Sequence, residues 1–246
     1  MTRHALITGG GSGIGLACAQ RLSRDGYKVT IAGRHEDRLK AAKFPYVVMD
    51  VTSAESIQDG FTAAINQNGP IDIVISNAGA AQTAPALKTS QDMWDTMIAV
   101  NLTGAFLCAQ AALPPMVEQG FGRFIVIAST AALKAYPYTM AYTAAKHGVL
   151  GMVKGLAVEL AKTGVTCNAI CPGFTDTDIV RGAVKNIMDI TGRSQEKALS
   201  AFIKDNPMNR LIAPDEIADS ASWLCGKGAS SVNGQAIIID GGECIS

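Results

Sequence analysis

The sequence predicts an α/β fold, a doubly wound parallel sheet of seven strands with helices on both faces, in a single domain spanning 1–246. Three observations carry that prediction. The 246 residues are 48% hydrophobic, enough to bury a large core within one domain. Short apolar, β-rich runs recur seven times, with longer segments of helical spacing between them. No Pro/Gly/Ser-rich linker, repeat or low-complexity stretch interrupts the alternation, so the connections suit a parallel sheet.

In chain order the strand-like runs are 4–8, 27–33, 45–49, 71–76, 122–128, 165–171 and 235–239. Their near-continuous apolar character suits strands buried on both faces. Helical spacing covers 14–24, 54–66, 93–118, 142–162 and 214–224. The stretch 174–213 is irregular. Within it, apolar residues at 180, 184, 187 and 188 predict an amphipathic helix, and a second helix runs from about 194 to 203.

Charge and composition exclude several functions. With 21 basic and 21 acidic residues and no dense basic run, nucleic acid and anionic membrane are not expected partners. Cys18, Cys108, Cys167, Cys171, Cys225 and Cys244 are scattered, without a CxxC or Cys/His cluster. They read as small core residues in a reducing compartment, forming neither a disulfide framework nor a zinc site. Three histidines, His4, His35 and His147, leave little material for a metal site, and no metal is expected. No secretory leader is visible, and no apolar run reaches about 18 residues, so a cytoplasmic protein without a membrane span is expected.

Thr8-Gly9-Gly10-Gly11-Ser12-Gly13-Ile14-Gly15 follows the first strand and opens the first helix, the context in which a glycine turn meets a phosphate. Glycine permits tight turning and close backbone approach, while the helix N–H groups and dipole accept a pyrophosphate. The spacing is Gly-x3-Gly-x-Gly, and the strict G-x-G-x-x-G is absent. The loop predicts a dinucleotide at Gly9, Ser12, Gly13, Ile14 and Gly15; a tight β-to-α turn without a ligand would read the same way. Gly33-Arg34-His35 ends the second strand. An acid there takes a ribose 2′-OH, whereas arginine accommodates a 2′-phosphate. Arg34 therefore favours NADP(H), with NAD(H) the weaker option. Asp50-Val51 closes the third strand, placed to meet the adenine or to cap the turn before Ser53.

Tyr142 and Lys146 stand four apart, one turn above each other on one helix face. There an ammonium can lower a phenol from its reference of about 10 towards use as an acid or base. Ser129 lies 13 residues earlier. On a solvated helix face the same pair would be inert.

Together these motifs resemble the short-chain dehydrogenase/reductase family, in its single-domain branch with a Rossmann-type sheet, over essentially the whole chain. Thr8-Gly9-x3-Gly13-Ile14-Gly15 matches that family's cofactor loop, and Asn77-Ala78-Gly79 its sheet-stabilising, cofactor-contacting turn. Ser76 stands where the family usually has a second asparagine. Asn101, Ser129, Tyr142 and Lys146 fall on its catalytic positions, and Pro172-Gly173 with Thr175 and Thr177 on its nicotinamide-contacting segment. The resemblance implies that Tyr142 exchanges a proton with the substrate oxygen. Lys146 would stabilise the tyrosinate and hold the ribose. Ser129 would hydrogen-bond the developing charge, and Asn101 would hold a water linking Lys146 to solvent. It also implies a substrate lid over 178–206, and a homotetramer or dimer built on the helices around 93–118 and 142–162 with strand 235–239.

Pro207-x-x-Arg210-Leu211, Asp240-Gly241-Gly242 and the run 129–173 are similar to 3-oxoacyl-thioester reductases and polyketide ketoreductases. The implied substrate is a small-molecule ketone or alcohol, carried on CoA or an acyl carrier protein. Two readings stay open beside it: an oxidative 3-hydroxyacyl-CoA or secondary-alcohol dehydrogenase, and an idle NADP-binding sensor or scaffold. The chain keeps all four catalytic positions, which such sensors have usually lost in part.

Overall fold

The computed structural model describes residues 2–245; Met1 and Ser246, which the expected domain also takes in, lie outside the described residues. The seven strands are β1 (His4–Thr8), β2 (Lys28–Gly33), β3 (Tyr46–Val48), β4 (Ile71–Ser76), β5 (Gly122–Ile127), β6 (Val165–Pro172) and β7 (Ala236–Ile239). They form one all-parallel sheet in the order β3-β2-β1-β4-β5-β6-β7. Each strand feeds alternate side chains to two separate cores. Leu6, Val74, Phe124 and Cys167 face one, while Ile7, Ile73, Ile125 and Ile170 face the other. The continuous apolar runs follow from this two-sided burial.

The first core is covered by α3 (Ala54–Asn68), α5 (Gly104–Glu118) and α6 (Met140–Glu159), the second by α1 (Gly13–Arg24), α2 (Glu36–Ala42) and α9 (Pro214–Cys225). Strand order reverses between β1 and β4, which opens a crevice beyond their carboxyl ends. Both the glycine loop and the Asn77 turn enter that crevice.

Three features depart from expectation. Helix α2 was not foreseen: it has seven residues and buries only Leu39, too little for a periodic signal. Glu36 and Asp37 in its first turn and a 3.2 Å Glu36–Lys40 pair support it instead. The expected helix 93–118 begins earlier, as α4 (Gln91–Ile98) with Ser90 capping Met93, and is joined to α5 by a π-helical stretch, Ala99–Thr103. This continuous helix is long and apolar enough to span a membrane, contrary to the length argument from the sequence. Polar residues at 91, 92, 95 and 101 break its uninterrupted apolar run. It packs along the sheet, burying Ala105, Cys108, Ala109, Ala112 and Met116.

Candidate active site

One cleft of about 790 Å³ lies at the carboxyl ends of the strands. One end of it is built by the glycine loop. The N-terminus of α1 carries no side-chain cap from Ser12 and no acid in its first turn, so its N–H groups suit an anion. Gly13 has φ +52° and faces Thr177; a Cβ there would lie 3.2 Å from that side chain. The segment after β6 therefore arches over to meet the loop. Gly9 faces Asn77, whose amide would lie 2.8 Å from an added Cβ. Gly15 alone among the expected cofactor residues does not line the cleft. It sits behind the loop, where a Cβ would collide with the Gly9 carbonyl, and so serves close helix packing.

Thr8 and Asn77 lock the loop to the sheet. The Thr8 hydroxyl accepts the N–H groups of Asn77 and Ala78, both at 2.9 Å, and Asn77 Nδ2 donates to the carbonyls of Thr8 and Gly9. Exposed Arg34 lines the cleft at the end of β2. Asp50 accepts from Thr52 N–H and hydroxyl, and those bonds, with Arg34 nearby, hold its carboxyl below the usual value. Asp50 thus shapes the turn before Ser53 and also lines the cleft beside Val51. The turn reading holds. At the far wall come Pro172, Gly173, Thr175, whose hydroxyl donates to Gly173 O at 3.0 Å, and Thr177.

At the other end Asn101, Ser129, Tyr142 and Lys146 line the same space. Lys146 is 5% exposed, donates to Ile127 O at 3.1 Å, and has its Nζ 5.6 Å from the Tyr142 ring centre. Burial lowers its pKa to about 8. The expected lowering of Tyr142 by this ammonium is not what the geometry gives. Burial pushes the Tyr142 phenol up, and the opposing influence is a hydrogen bond with Ser129. Asn101 is buried in the π-helical stretch. Its amide donates to Ala80 O (2.9 Å) and Met97 O (3.1 Å), and its oxygen accepts from Ala80 N–H. Its side chain therefore pins the turn after β4. Gly79 lies between Asn101 and Lys146: a Cβ there would be 2.9 Å from Asn101 Oδ1 and 3.8 Å from Lys146 Nζ. Among the described residues, no three His, Cys, Asp or Glu side chains cluster as metal ligands.

Residues 9–243 match the family described as enoyl-(acyl carrier protein) reductase. The chain is 38% identical to the 3-oxoacyl-(acyl-carrier-protein) reductase MabA of Mycobacterium bovis, over 98% of this chain and 93% of that one. This chain belongs to the short-chain dehydrogenase/reductase family. As a member it is an oxidoreductase. A D-beta-hydroxybutyrate dehydrogenase of Rhizobium meliloti is 34% identical over 98% of each chain. A solved variant of actinorhodin polyketide ketoreductase with NADPH superposes with a TM-score of 0.95 at 33% identity, covering 100% of this chain and 98% of that one.

The cleft of this short-chain dehydrogenase/reductase also contains residues that the sequence did not single out. Arg38, in the first turn of α2 and four residues after Arg34, lines the cleft against Gly11. A basic residue four places on was the available signal, but α2 itself was unseen. Tyr136 and Phe174 line the same cleft as Tyr142 and Ser129, with Phe202 from α8 (Gln195–Ile203). Helices α7 (Asp178–Thr191) and α8 occupy the region expected as a lid, and Val180, Val184 and Ala198 form a small core of their own. Glu243, buried at 2% exposure, contacts Tyr136 from the turn after β7. No local spacing points to it.

Proposed function

We propose that the protein is an NADP-dependent oxidoreductase that reduces a 3-oxoacyl thioester, on an acyl carrier protein or CoA, to the 3-hydroxyacyl compound. The observation that carries this reading is a single cleft joining an uncapped glycine loop to Tyr142, Ser129 and Lys146. The residues fit a dinucleotide: the uncapped N-terminus of α1 turns its N–H groups to a pyrophosphate, and Arg34 and Arg38 lie where a 2′-phosphate would be held. Bound NADPH supplies the hydride. Tyr142 donates its proton to the carbonyl oxygen as charge develops, and Ser129 hydrogen-bonds that oxygen. Lys146 holds the nicotinamide ribose, and the hydrogen bond with Ser129 is what eases Tyr142 towards releasing its proton. Asn101 and Lys146, which flank Gly79, would hold between them the water that passes a replacement proton inward.

Beyond Tyr142, Ser129 and Lys146, the cleft is also lined by Gln82, Thr83, Tyr136, Phe174, Ile179 and Phe202. That lining suits a neutral carbonyl on an apolar chain, in keeping with the relatives named for thioester and polyketide ketone reduction. The likeness to D-beta-hydroxybutyrate dehydrogenase favours a second reading, oxidation of a 3-hydroxy substrate at the same residues. We assign the cytoplasm, because all six thiols are free and five are buried. NADPH oxidation over acetoacetyl-CoA, longer 3-oxoacyl thioesters, free acetoacetate, cyclic ketones and quinones tests the proposal, with Tyr142→Phe as control. Thioesters should lead, and the control should lose turnover while still binding NADPH. Equal rates across the panel would sink the thioester assignment.

A further inference from the structure

Two tyrosines line the cleft, and their hydroxyls are used differently. Tyr142 meets Ser129 at the reacting end. Tyr136, in the loop after β5, donates its hydroxyl to Glu243 Oε1 at 2.6 Å and shares a second 2.6 Å bond with Thr130 Oγ1. A phenol has one proton to give, so Tyr136 has none left for a substrate. Burial and the Glu243 carboxylate push its pKa well above the ordinary tyrosine value and keep it protonated. What the cleft meets is its ring.

The anchor comes from 107 residues away. A carboxylate as buried as Glu243 is costly without partners, and Lys134 supplies an ammonium 3.0 Å from Oε1. The turn that carries Glu243 is itself fixed. Asp240 accepts the N–H groups of Gly242 (2.9 Å) and Cys244 (2.7 Å), and Gly173 N–H donates to Ile239 O at 3.0 Å. A Cβ on Gly173 would lie 3.4 Å from Glu243 Oε2, so the turn presses on the segment beside the reacting end. On its other side the Tyr136 ring meets Phe174 edge-on at 5.7 Å, and Phe174 meets Phe202 of α8 edge-on at 5.2 Å. The three rings form a row from the β5 loop to α8.

We propose that Tyr136 is a specificity-determining residue, its ring a fixed wall of the substrate chamber, and that Glu243 is the positioning residue that holds it. The width admitted beside Ser129 and Tyr142 is then set by the turn after β7. Wide ketones are excluded for as long as Glu243 keeps the ring in place. The inference rests on ketone reduction in this cleft and not on the thioester.

The test compares the parent enzyme with Tyr136→Ala, Tyr136→Phe, Glu243→Ala and Glu243→Gln. The readout is the ratio of kcat/KM for a bicyclic ketone to that for a linear ketone, with NADPH affinity measured separately. Removing a ring from a pocket wall is worth about tenfold in such a ratio, so Tyr136→Ala should raise it by that order. Glu243→Ala and Tyr136→Phe should raise it about threefold to fivefold, since each frees the ring without removing it. Glu243→Gln keeps an amide oxygen that accepts from Tyr136, and should stay within about twofold of the parent. NADPH affinity should hold in all four. An unchanged ratio in Tyr136→Ala overturns the wall. An unchanged ratio in both Glu243→Ala and Tyr136→Phe, whatever their melting temperatures, overturns the anchor; should Glu243→Ala not fold, Tyr136→Phe decides alone. Absence of thioester turnover would count against the proposed substrate only, because the ratio is taken between two simple ketones.

Discussion

Placing an amine in the interior beside a phenol costs stability, and the size of that cost depends on pH. Lys146 titrates near 10.5 when solvated and at about 8 in the fold, because burial penalises its charge. Between those values the unfolded chain binds more protons than the folded one, so stability rises with pH across the window. Below about pH 8 the full penalty is present. Lys146→Met should therefore be more stable than the parent at pH 7, by a few kcal/mol at most, with the gap closing as the pH nears 10.5. Urea midpoints across that range check the sign, and a gap independent of pH would show that the variant gains by packing alone. At the opposite end of the cleft, Arg34 is exposed and shares its surroundings with Asp50. Arg34→Asp puts a second carboxylate where a 2′-phosphate would lie. The ratio of kcat/KM for NADPH over NADH should fall about a hundredfold, and an unmoved ratio would place the preference on other residues. Arg34 was legible because the end of β2 is a position with known chemistry. Arg38 was not, since its place depends on a helix too short to leave a pattern.

At the scale of elements, what could be read followed from burial on two sides. Each strand feeds both cores, so the strands appear as apolar runs whatever lies around them. The π-helical stretch Ala99–Thr103 has no such signature. It is held by Asn101 reaching across to Ala80, a bond between segments that no local period encodes. The same holds for Glu243, whose partners lie in the β5 loop. The crossing of Asn101 past Gly79 gives a prediction for this element. A methyl at Gly79 would sit 2.9 Å from Asn101 Oδ1 and 3.8 Å from Lys146 Nζ, filling the space assigned to the relay water. Gly79 has no positive φ, so Gly79→Ala strains the contact and not its own backbone. Its kcat should fall at least about tenfold while stability drops by only about 1 kcal/mol. Comparing kcat with the urea midpoint separates the two, and a loss of stability with kcat intact would deny that the space takes part in proton transfer.

For the whole molecule, the outer faces pose the question that the cleft does not. Val158 on α6 is 81% exposed, and Phe106 on α5, Trp223 on α9 and Ile238 on β7 are each more than a third exposed. Large apolar side chains scattered singly over a surface need no explanation. These belong instead to the two long helices over one core and to the edge strand, the faces expected to pair, and to α9 beside that strand. An edge strand such as β7 also leaves backbone groups open to another chain. We expect two interfaces, one through α5 and α6 and one through β7 and α9, each burying on the order of 800 Å² per partner. Light scattering should then give four times the 25.6 kDa chain mass. Phe106→Asp should break the first interface and Ile238→Asp the second, each leaving a dimer with the cleft intact. A monomeric parent would overturn the assembly, and a dimer insensitive to Ile238→Asp would confine it to the helical face.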